Sequence, residues 1–478
     1  MMLAILGLET GVFLSLVMFA VFMVMILIGY NVAFSFASTA LLFSFLGDIT
    51  NTFDPSSLAI LPNRWFGAIQ DSTLLAVPFF VLMGAILERS GLAERLLNAI
   101  GMLMGPIKGG VAAAVVVVGT LLAAATGVVA ATVIVMGLLS LPTMLRLGYD
   151  PKLATGVITA SGTLAQLLPP SLVLILLAQQ IGVGIIGLFA GALLPGLLLS
   201  FMYAAYAIGI SYLKPGTGPA MPLEERTVRG KMLALETLFS VVPIVLLILG
   251  VLFSIFNGIA TPSESGAVGV AGALLLAVFS WVTDKIMIRA GATHIESKWR
   301  LTSSALREAG RSTANISILV MTLLFSSTFF SVMFQQLGGS DQTSEWLSSI
   351  GGGKTGFVIV AMIAVFILGI NLEFLEITFI VVPIFVPAMQ ILEFTQLETI
   401  WFTVLMAVNL NMAFISPPVG FSLFYLQSVA PPEVKTSDIH KGAIPFMVIQ
   451  GIALIILGLF PGIVETSVNI LVDTSKLS

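Results

Sequence analysis

The chain has 478 residues, 58% of them hydrophobic and only 9% charged, with a mean hydropathy of +1.09; soluble domains carry roughly 25% charge. Twenty Lys and Arg with 24 Asp and Glu cannot clothe a soluble globule of this length. That excludes a cytoplasmic enzyme, a nucleic-acid binder and a disordered scaffold, and leaves an all-α polytopic membrane protein. About 20 apolar residues per crossing leave room for on the order of ten to fourteen spans. The apolar stretches lack the alternating pattern of a lumen, which favours helices over a barrel. No cysteine is present, so disulfides, thiolate metal sites and thiol catalysis are excluded.

In chain order, the N-terminus carries no basic stretch and its first charge is Glu9, so it reads as a true span rather than a cleaved signal. Spans are expected at 8–28 and 30–46, then a polar arm at 47–74 and a span at 75–89. A hairpin at 109–145, an interrupted span at 153–180 and a last span at 187–213 complete the first half, residues 1–213. A linker at 214–234 leads into the second half, 235–478. There the spans fall at 235–257 and 263–283, the arm at 284–312, and a third span at 313–336. The hairpin lies at 355–390, the interrupted span at 398–428, and the final span at 442–464.

Charge orients these segments. Lys214, Arg226, Arg229 and Lys231 form one basic cluster; Lys285, Arg289, Lys298, Arg300, Arg307 and Arg311 form a second; Arg89, Arg95, Lys108, Arg146 and Lys152 form a third. All three are expected on the cytoplasmic side. Residues 47–74, with Asp48, Asp54 and Asp71 against Arg64 alone, and 337–354, with Asp341 and Glu345 against Lys354 alone, are expected outside. Both termini are then periplasmic. The basic run 285–311 serves either as a solvated loop that sets topology or as an anionic-lipid contact.

Four landmarks recur at offsets of 245 to 250 residues: Gly91 with Gly338, Pro142 with Pro387, Pro169-Pro170 with Pro417-Pro418, and Pro195 with Pro445. Four matches in one order predict two homologous halves. Each has five crossings, one of them interrupted, and one re-entrant hairpin. An odd number of crossings requires the second half to be inverted relative to the first, the architecture of secondary transporters. A twelve-span bundle without re-entrant hairpins is the alternative.

The interruptions carry the chemistry. Residues 153–213 contain no charged side chain, yet their middle reads Ala160-Ser161-Gly162-Thr163-Leu164-Ala165-Gln166-Leu167-Leu168-Pro169-Pro170-Ser171. Two consecutive prolines remove two amide donors and clash with the preceding turn. Carbonyls freed at that depth are tolerated where they line a cavity or bind something. The second half repeats the arrangement as Asn409-Leu410-Asn411 followed by Ser416-Pro417-Pro418-Val419-Gly420. Such carbonyls, with Ser, Thr and Asn oxygens, suit a hard monovalent cation such as Na⁺. The half-helix after each break favours an anionic substrate. Proline kinks used only for packing are the other reading.

The hairpin turns are expected at Ala124-Ala125-Thr126-Gly127 and at Gly369-Ile370-Asn371-Leu372-Glu373, facing the breaks. Glu373 and Glu376 are the acids expected nearest mid-membrane, where either can ligand a cation or carry a proton; a shallower hairpin with both acids hydrated is the alternative. No basic residue falls in the expected core. His294 and His440 are expected in loops and belong to no metal-binding motif, and no nucleophile and base suggest an enzyme.

Several runs of the chain resemble the large membrane (M) subunit of TRAP transporters, the DctM-like component of tripartite ATP-independent periplasmic systems. The first hairpin matches through Gly127-Val128-Val129-Ala130-Ala131-Thr132 and Gly137-Leu138-Leu139-Ser140-Leu141-Pro142, and the first break through Ala160-Ser161-Gly162-Thr163 and Pro169-Pro170-Ser171. Ala260-Thr261-Pro262-Ser263-Glu264-Ser265-Gly266-Ala267, Trp401-Phe402, Asn409-Leu410-Asn411 and Ser416-Pro417-Pro418-Val419-Gly420-Phe421 extend the likeness over nearly the whole chain.

The resemblance implies an elevator-type transport subunit for Na⁺-coupled uptake of an organic acid, a dicarboxylate or sugar acid. It also implies a small (Q) membrane subunit and a periplasmic binding protein (P) as partners, and no cofactor beyond Na⁺ as coupling ion. The bacterial inner membrane is the expected location, and no nucleic acid is involved. Cation ligands carried over from the family fall on Thr126, Gly127, Ser161, Gly162 and Pro169, and on Asn371, Glu373, Asn409 and Ser416. Thr163, Gln166, Ser171, Asn411 and Gly420 are expected to face the substrate. The first tip, Ala-Thr-Gly-Val, is poorer in hydroxyls than many family members, which leaves its ligands open. No four-span extension precedes the first repeat, so the small subunit is expected as a separate chain. A self-contained Na⁺/dicarboxylate symporter and a passive channel are the alternatives.

Overall fold

The structure, a computed structural model, describes residues 9–226, 228, 230–289 and 299–472. Among these, every regular element is a helix. Little polar chemistry is needed to turn the chain between spans. Helix α1 (Thr10–Ile28) ends where Gly29 N–H donates to Ile26 O at 2.8 Å and Tyr30 N–H to Met25 O at 3.0 Å, which satisfies the last carbonyls. The Asn31 side chain then accepts from Ala33 N–H at 3.1 Å and opens α2 (Val32–Ile49), as an N-cap should.

The arm that follows is a short 3-10 turn (Pro55–Ile60) and α3 (Leu61–Gln70). Asp54 caps the turn by accepting from the Ser56 N–H and hydroxyl, and these bonds hold its carboxyl below the usual carboxylate range. Asp71 accepts from Thr73 N–H at 2.7 Å and starts α4 (Ser72–Arg89). The amphipathic α5 (Leu92–Met104) buries Leu96, Ala99 and Ile100. Next come α6 (Gly110–Thr126), α7 (Val129–Arg146), α8 (Pro151–Thr163), α9 (Leu172–Ile181) and α10 (Ile185–Leu213).

The remainder of the described chain is also helical. It comprises α11 (Gly230–Phe256), α12 (Pro262–Arg289), α13 (Ser303–Gln336), α14 (Gly339–Ser348), α15 (Gly353–Gly369), α16 (Phe374–Ile380) and α17 (Val382–Ile391). It closes with α18 (Gln396–Phe414), α19 (Phe421–Gln427), α20 (Thr436–Leu459) and α21 (Gly462–Leu471). Gly91 and Gly338 have nearly the same left-handed backbone, φ 80° and 82°, and each precedes a short helix, α5 and α14. A side chain at either glycine would be strained.

Three features extend the sequence reading. Of the expected arm 284–312, residues 290–298, with His294 and Lys298, lie outside the described residues. Residues 284–289 finish α12, and 303–312 are the first turns of α13, which runs unbroken for 34 residues. The returning side of the second hairpin is bent by 43° between α16 and α17. His440 sits in the first turns of α20 rather than in a loop.

By length and apolar composition, ten of the described helices can cross a membrane, or up to twelve if each of two bent pairs counts as one span. Helices α6 and α15 have 17 residues each, about 25 Å at 1.5 Å per residue, short of the roughly 30 Å hydrocarbon core. Each turns back at its end. The helices pack as two groups: α4 lies along α12 and α13 with α2, α11 and α1 around them, while α8 lies against α20, α7 and α6, and α18 against α15 and α20. The groups meet where α4 and α5 touch α6 and where α13 touches α16.

Candidate functional site

The two interrupted helices lie next to each other, and each is met by a hairpin tip. In the first, α8 tightens into a 3-10 turn (Leu164–Gln166) before the Pro169–Pro170 bond, which is cis. Ser171 resumes the helix: its hydroxyl donates to Gln166 O at 2.9 Å and accepts from Leu174 N–H at 3.4 Å. Every residue from Ser161 to Ser171 is buried. Gly127, at φ 61°, forms the tip of the first hairpin. A Cβ there would lie 3.1 Å from Pro170 O and 3.3 Å from Leu172 N, so with its left-handed backbone a side chain here would be strained and crowded against the break.

The second break runs from α18 through Ser416 and a cis Pro417–Pro418 bond to Gly420 and α19. Gly369, at the end of α15, faces the Ala413 methyl. At the tip, Glu373 and Glu376 form a capping box, with Glu373 N–H donating to Glu376 Oε2 at 2.9 Å. Tyr425 OH, from beyond the break, donates to Glu373 Oε1 at 3.3 Å. The Ser422 hydroxyl donates to Thr159 O at 3.2 Å and ties the second broken helix to the first.

The polar side chains expected at the breaks divide into engaged and unengaged sets. Thr126 Oγ1 shares a hydrogen bond with Thr132 Oγ1 at 2.9 Å. Ser161 donates to Ile158 O within its own helix, and its hydroxyl faces Gly119 of α6. Gly162 lies under Val133 of α7. Thr163 donates to Ala160 O at 2.8 Å and accepts from Gln450 Nε2 at 3.4 Å, so its hydroxyl is turned toward α20. Pro169 and Ser416 are buried, and Asn371 is exposed at the second tip. Gly420 lies over the Ser416 and Phe414 carbonyls.

Against this, Gln166 and Asn411 are fully buried, and neither the oxygen nor the nitrogen of either amide has a hydrogen-bond partner within the protein. Asn409 donates to Met362 O at 2.6 Å, but its Oδ1 is likewise unpartnered. Buried amides left unpaired cost free energy, so three such groups at two breaks mark where an ion, a substrate or water completes the bonding. No Lys or Arg lies in 153–180 or 398–428. Among the described residues, no group of His, Asp and Glu could hold a multivalent metal.

Sequence reasoning did not name Tyr425, Tyr203 or Gln450, and gave Thr132 no role at the site. Gln450 Nε2 donates to Tyr203 OH at 2.5 Å, which joins α20, α10 and α8. A lone amide inside the apolar run of α20 was the available signal; its partner, 247 residues away in the chain, gave none.

Crossing helices in this number, with two broken helices each closed by a helical hairpin, define a multi-pass membrane transport protein. The chain belongs to the family described as tripartite ATP-independent periplasmic transporter, DctM component, whose model matches residues 19–463. It is 28% identical over 412 residues to the C4-dicarboxylate TRAP transporter large permease protein DctM of Pseudomonas aeruginosa, spanning 86% of this chain and 90% of that protein. It is 26% identical over 458 residues to the ectoine TRAP transporter large permease protein TeaC of Halomonas elongata, spanning 94% and 98%. The crystal structure of the Alcanivorax borkumensis YdaH transporter has the same overall fold, with a TM-score of 0.57 at 14% identity over 86% of this chain and 90% of that one.

Proposed function

We propose that this chain is the transport subunit of a Na⁺-coupled secondary transporter that imports an organic acid. The acid is a dicarboxylate, a sugar acid or a similar carboxylate, delivered by a periplasmic binding protein. A small membrane subunit completes the complex in the bacterial inner membrane, with both termini of this chain periplasmic and the two halves inverted. The observation that carries this reading is the set of unpartnered buried amides of Gln166, Asn409 and Asn411 at two adjacent breaks that lack any cationic side chain.

In this reading Na⁺ is held by oxygens at the tips and breaks, from Thr126, Gly127, Ser161, Gly162 and Pro169 and from Asn371, Glu373, Asn409 and Ser416. The bound cations and the N-terminus of α9 offset the charge of the acid, which Gln166, Ser171, Asn411 and Gly420 contact. Thr163 acts indirectly, through Gln450. The group containing the hairpins and broken helices moves as an elevator against the group built on α4, α12 and α13. The cargoes in the relatives' names, a C4-dicarboxylate and ectoine, differ, which agrees with selectivity lying largely in the binding protein.

Uptake into proteoliposomes containing the chain, its small subunit and its binding protein tests this. Loss of uptake when K⁺ replaces Na⁺, and when either partner is omitted, is the expected result. Uptake that survives without the binding protein would favour a self-contained symporter, and uptake without any gradient would indicate a channel.

A further inference from the structure

A cavity of about 440 Å³ lies at the seam between the two helix groups, away from both breaks. One wall is α1, α3, α13 and the start of α14; the other is α16, α17 and the end of α9. Its polar lining is Arg64, Gln180, Gln335, Gln390, Ser331 and Ser340, and the remainder is aromatic and aliphatic. Arg64 is the one charged residue on that lining, and no carboxylate opposes it. Among the described residues, Arg64 takes part in no ion pair and no side-chain hydrogen bond, and the three glutamine amides are equally unengaged. Arg64's neighbour Trp65 donates its indole N–H to Phe325 O at 3.1 Å, which fastens α3, the helix that carries both, to α13.

We infer that this cavity is a staging site for small organic carboxylates, with Arg64 as the anion contact. The inference rests on the import reading above, which supplies an acid that must pass this seam. A guanidinium presents a planar fork that matches a carboxylate; the glutamines suit hydroxyl or amide substituents, and the phenylalanine wall suits a carbon skeleton. The volume falls within the range of small-molecule sites, about 300–1,000 Å³. Residues 47–74 and 337–354, which contribute Arg64 and Ser340, are the segments whose charge places them outside the membrane. An acid arriving from that side therefore meets a positive charge beside the returning arm of the second hairpin before it reaches the breaks. One guanidinium, partly hydrated, gives weak binding that does not require Na⁺.

The test uses the full chain in phosphatidylcholine nanodiscs and Na⁺-free choline buffer. The readout is the rate at which phenylglyoxal modifies Arg64, measured by peptide mass spectrometry. Succinate or gluconate at about 10 mM should slow modification of Arg64 at least threefold while leaving the exposed Arg146 unchanged. Choline chloride at matched ionic strength and the uncharged polyol mannitol should have no effect, and the protection should persist in Asn411→Leu. The proposal is overturned if neither acid protects Arg64, or if matched chloride protects it equally. It is also overturned if phosphatidylglycerol in the disc protects it without added acid, since the site would then belong to a lipid phosphate. Loss of Na⁺-driven uptake with protection intact would count against the import reading alone.

Discussion

Replacing Asn411 by leucine removes an amide and keeps the branched shape of the side chain. Both polar atoms of Asn411 are buried without a partner in the protein, and burying such a group costs about 1–3 kcal/mol on the scale of protein mutations. In Na⁺-free buffer, Asn411→Leu should therefore unfold at a temperature equal to or a few degrees above that of the parent. With the acid bound in Na⁺ the order should reverse. A ligand at 100 times its dissociation constant stabilises the folded state by about 2.7 kcal/mol, and a variant that has lost a contact to the acid forfeits most of that. Gln166→Leu, with the same two orphaned atoms, should behave alike. The assay is a thermal melt of the purified complex in choline, in Na⁺, and in Na⁺ with the acid. The reasoning fails if Asn411→Leu melts lower than the parent in choline and still gains the full increment from the acid. That outcome would mean ordered water satisfies the amide and the site lies elsewhere.

Other expectations are narrower. A Cβ on Gly84 of α4 would lie 2.5 Å from Thr126 Cα and 3.0 Å from its carbonyl oxygen. These are backbone atoms that cannot rotate away, so Gly84→Ala should cost about 1–3 kcal/mol by overpacking and lower both melting temperature and uptake. Gly101→Ala, in α5 with nothing near its Cβ position, should instead be neutral or stabilising by up to about 1 kcal/mol; equal behaviour of the two would refute the contact argument. Tyr425→Phe removes the hydroxyl that reaches Glu373 while keeping the ring, and should raise the Na⁺ concentration for half-maximal uptake several-fold at unchanged melting temperature. Lys354→Gln breaks a 2.7 Å pair with Glu398, but both side chains are more than a third exposed. The loss should stay below about 1 kcal/mol and vanish in high salt; a larger drop in the melt would show that the pair clamps the second hairpin.

How far these sites could be read from the sequence depends on the range of the physics involved. Pro169-Pro170 and Pro417-Pro418 announce their breaks locally, because a missing donor disrupts a helix whatever surrounds it. Spacing alone puts Gly127 at a tip, and the structure adds why glycine is favoured there: a left-handed backbone pressed against Pro170. Thr163 was legible as a polar residue beside a break but not as one facing away from it. Orientation on a helix depends on what packs there, and here that is Gln450, 287 residues distant. The bend between α16 and α17 was missed for the opposite reason. The run Ile377 to Ile391 is almost uniformly apolar, so no change of pattern marks the point where Pro383, in the first turn of α17, starts a new axis.

Tyr203 and Gln450 carry this argument one step further. They sit in α10 and α20, helices that contain Pro195 and Pro445. Their hydrogen bond joins residues 247 positions apart in the chain. Because the same Gln450 reaches Thr163 beside the first break, the contact between these two helices is coupled to the site itself. Tyr203→Phe removes one hydroxyl from this buried triad and leaves Gln450 with only its 3.4 Å contact to Thr163. A loss of about 1–2 kcal/mol is expected for the orphaned donor, together with slower uptake at unchanged Na⁺ dependence. If uptake kept its rate while the melt fell, the triad would hold the fold together without steering the break, and the coupling between triad and site would be refuted.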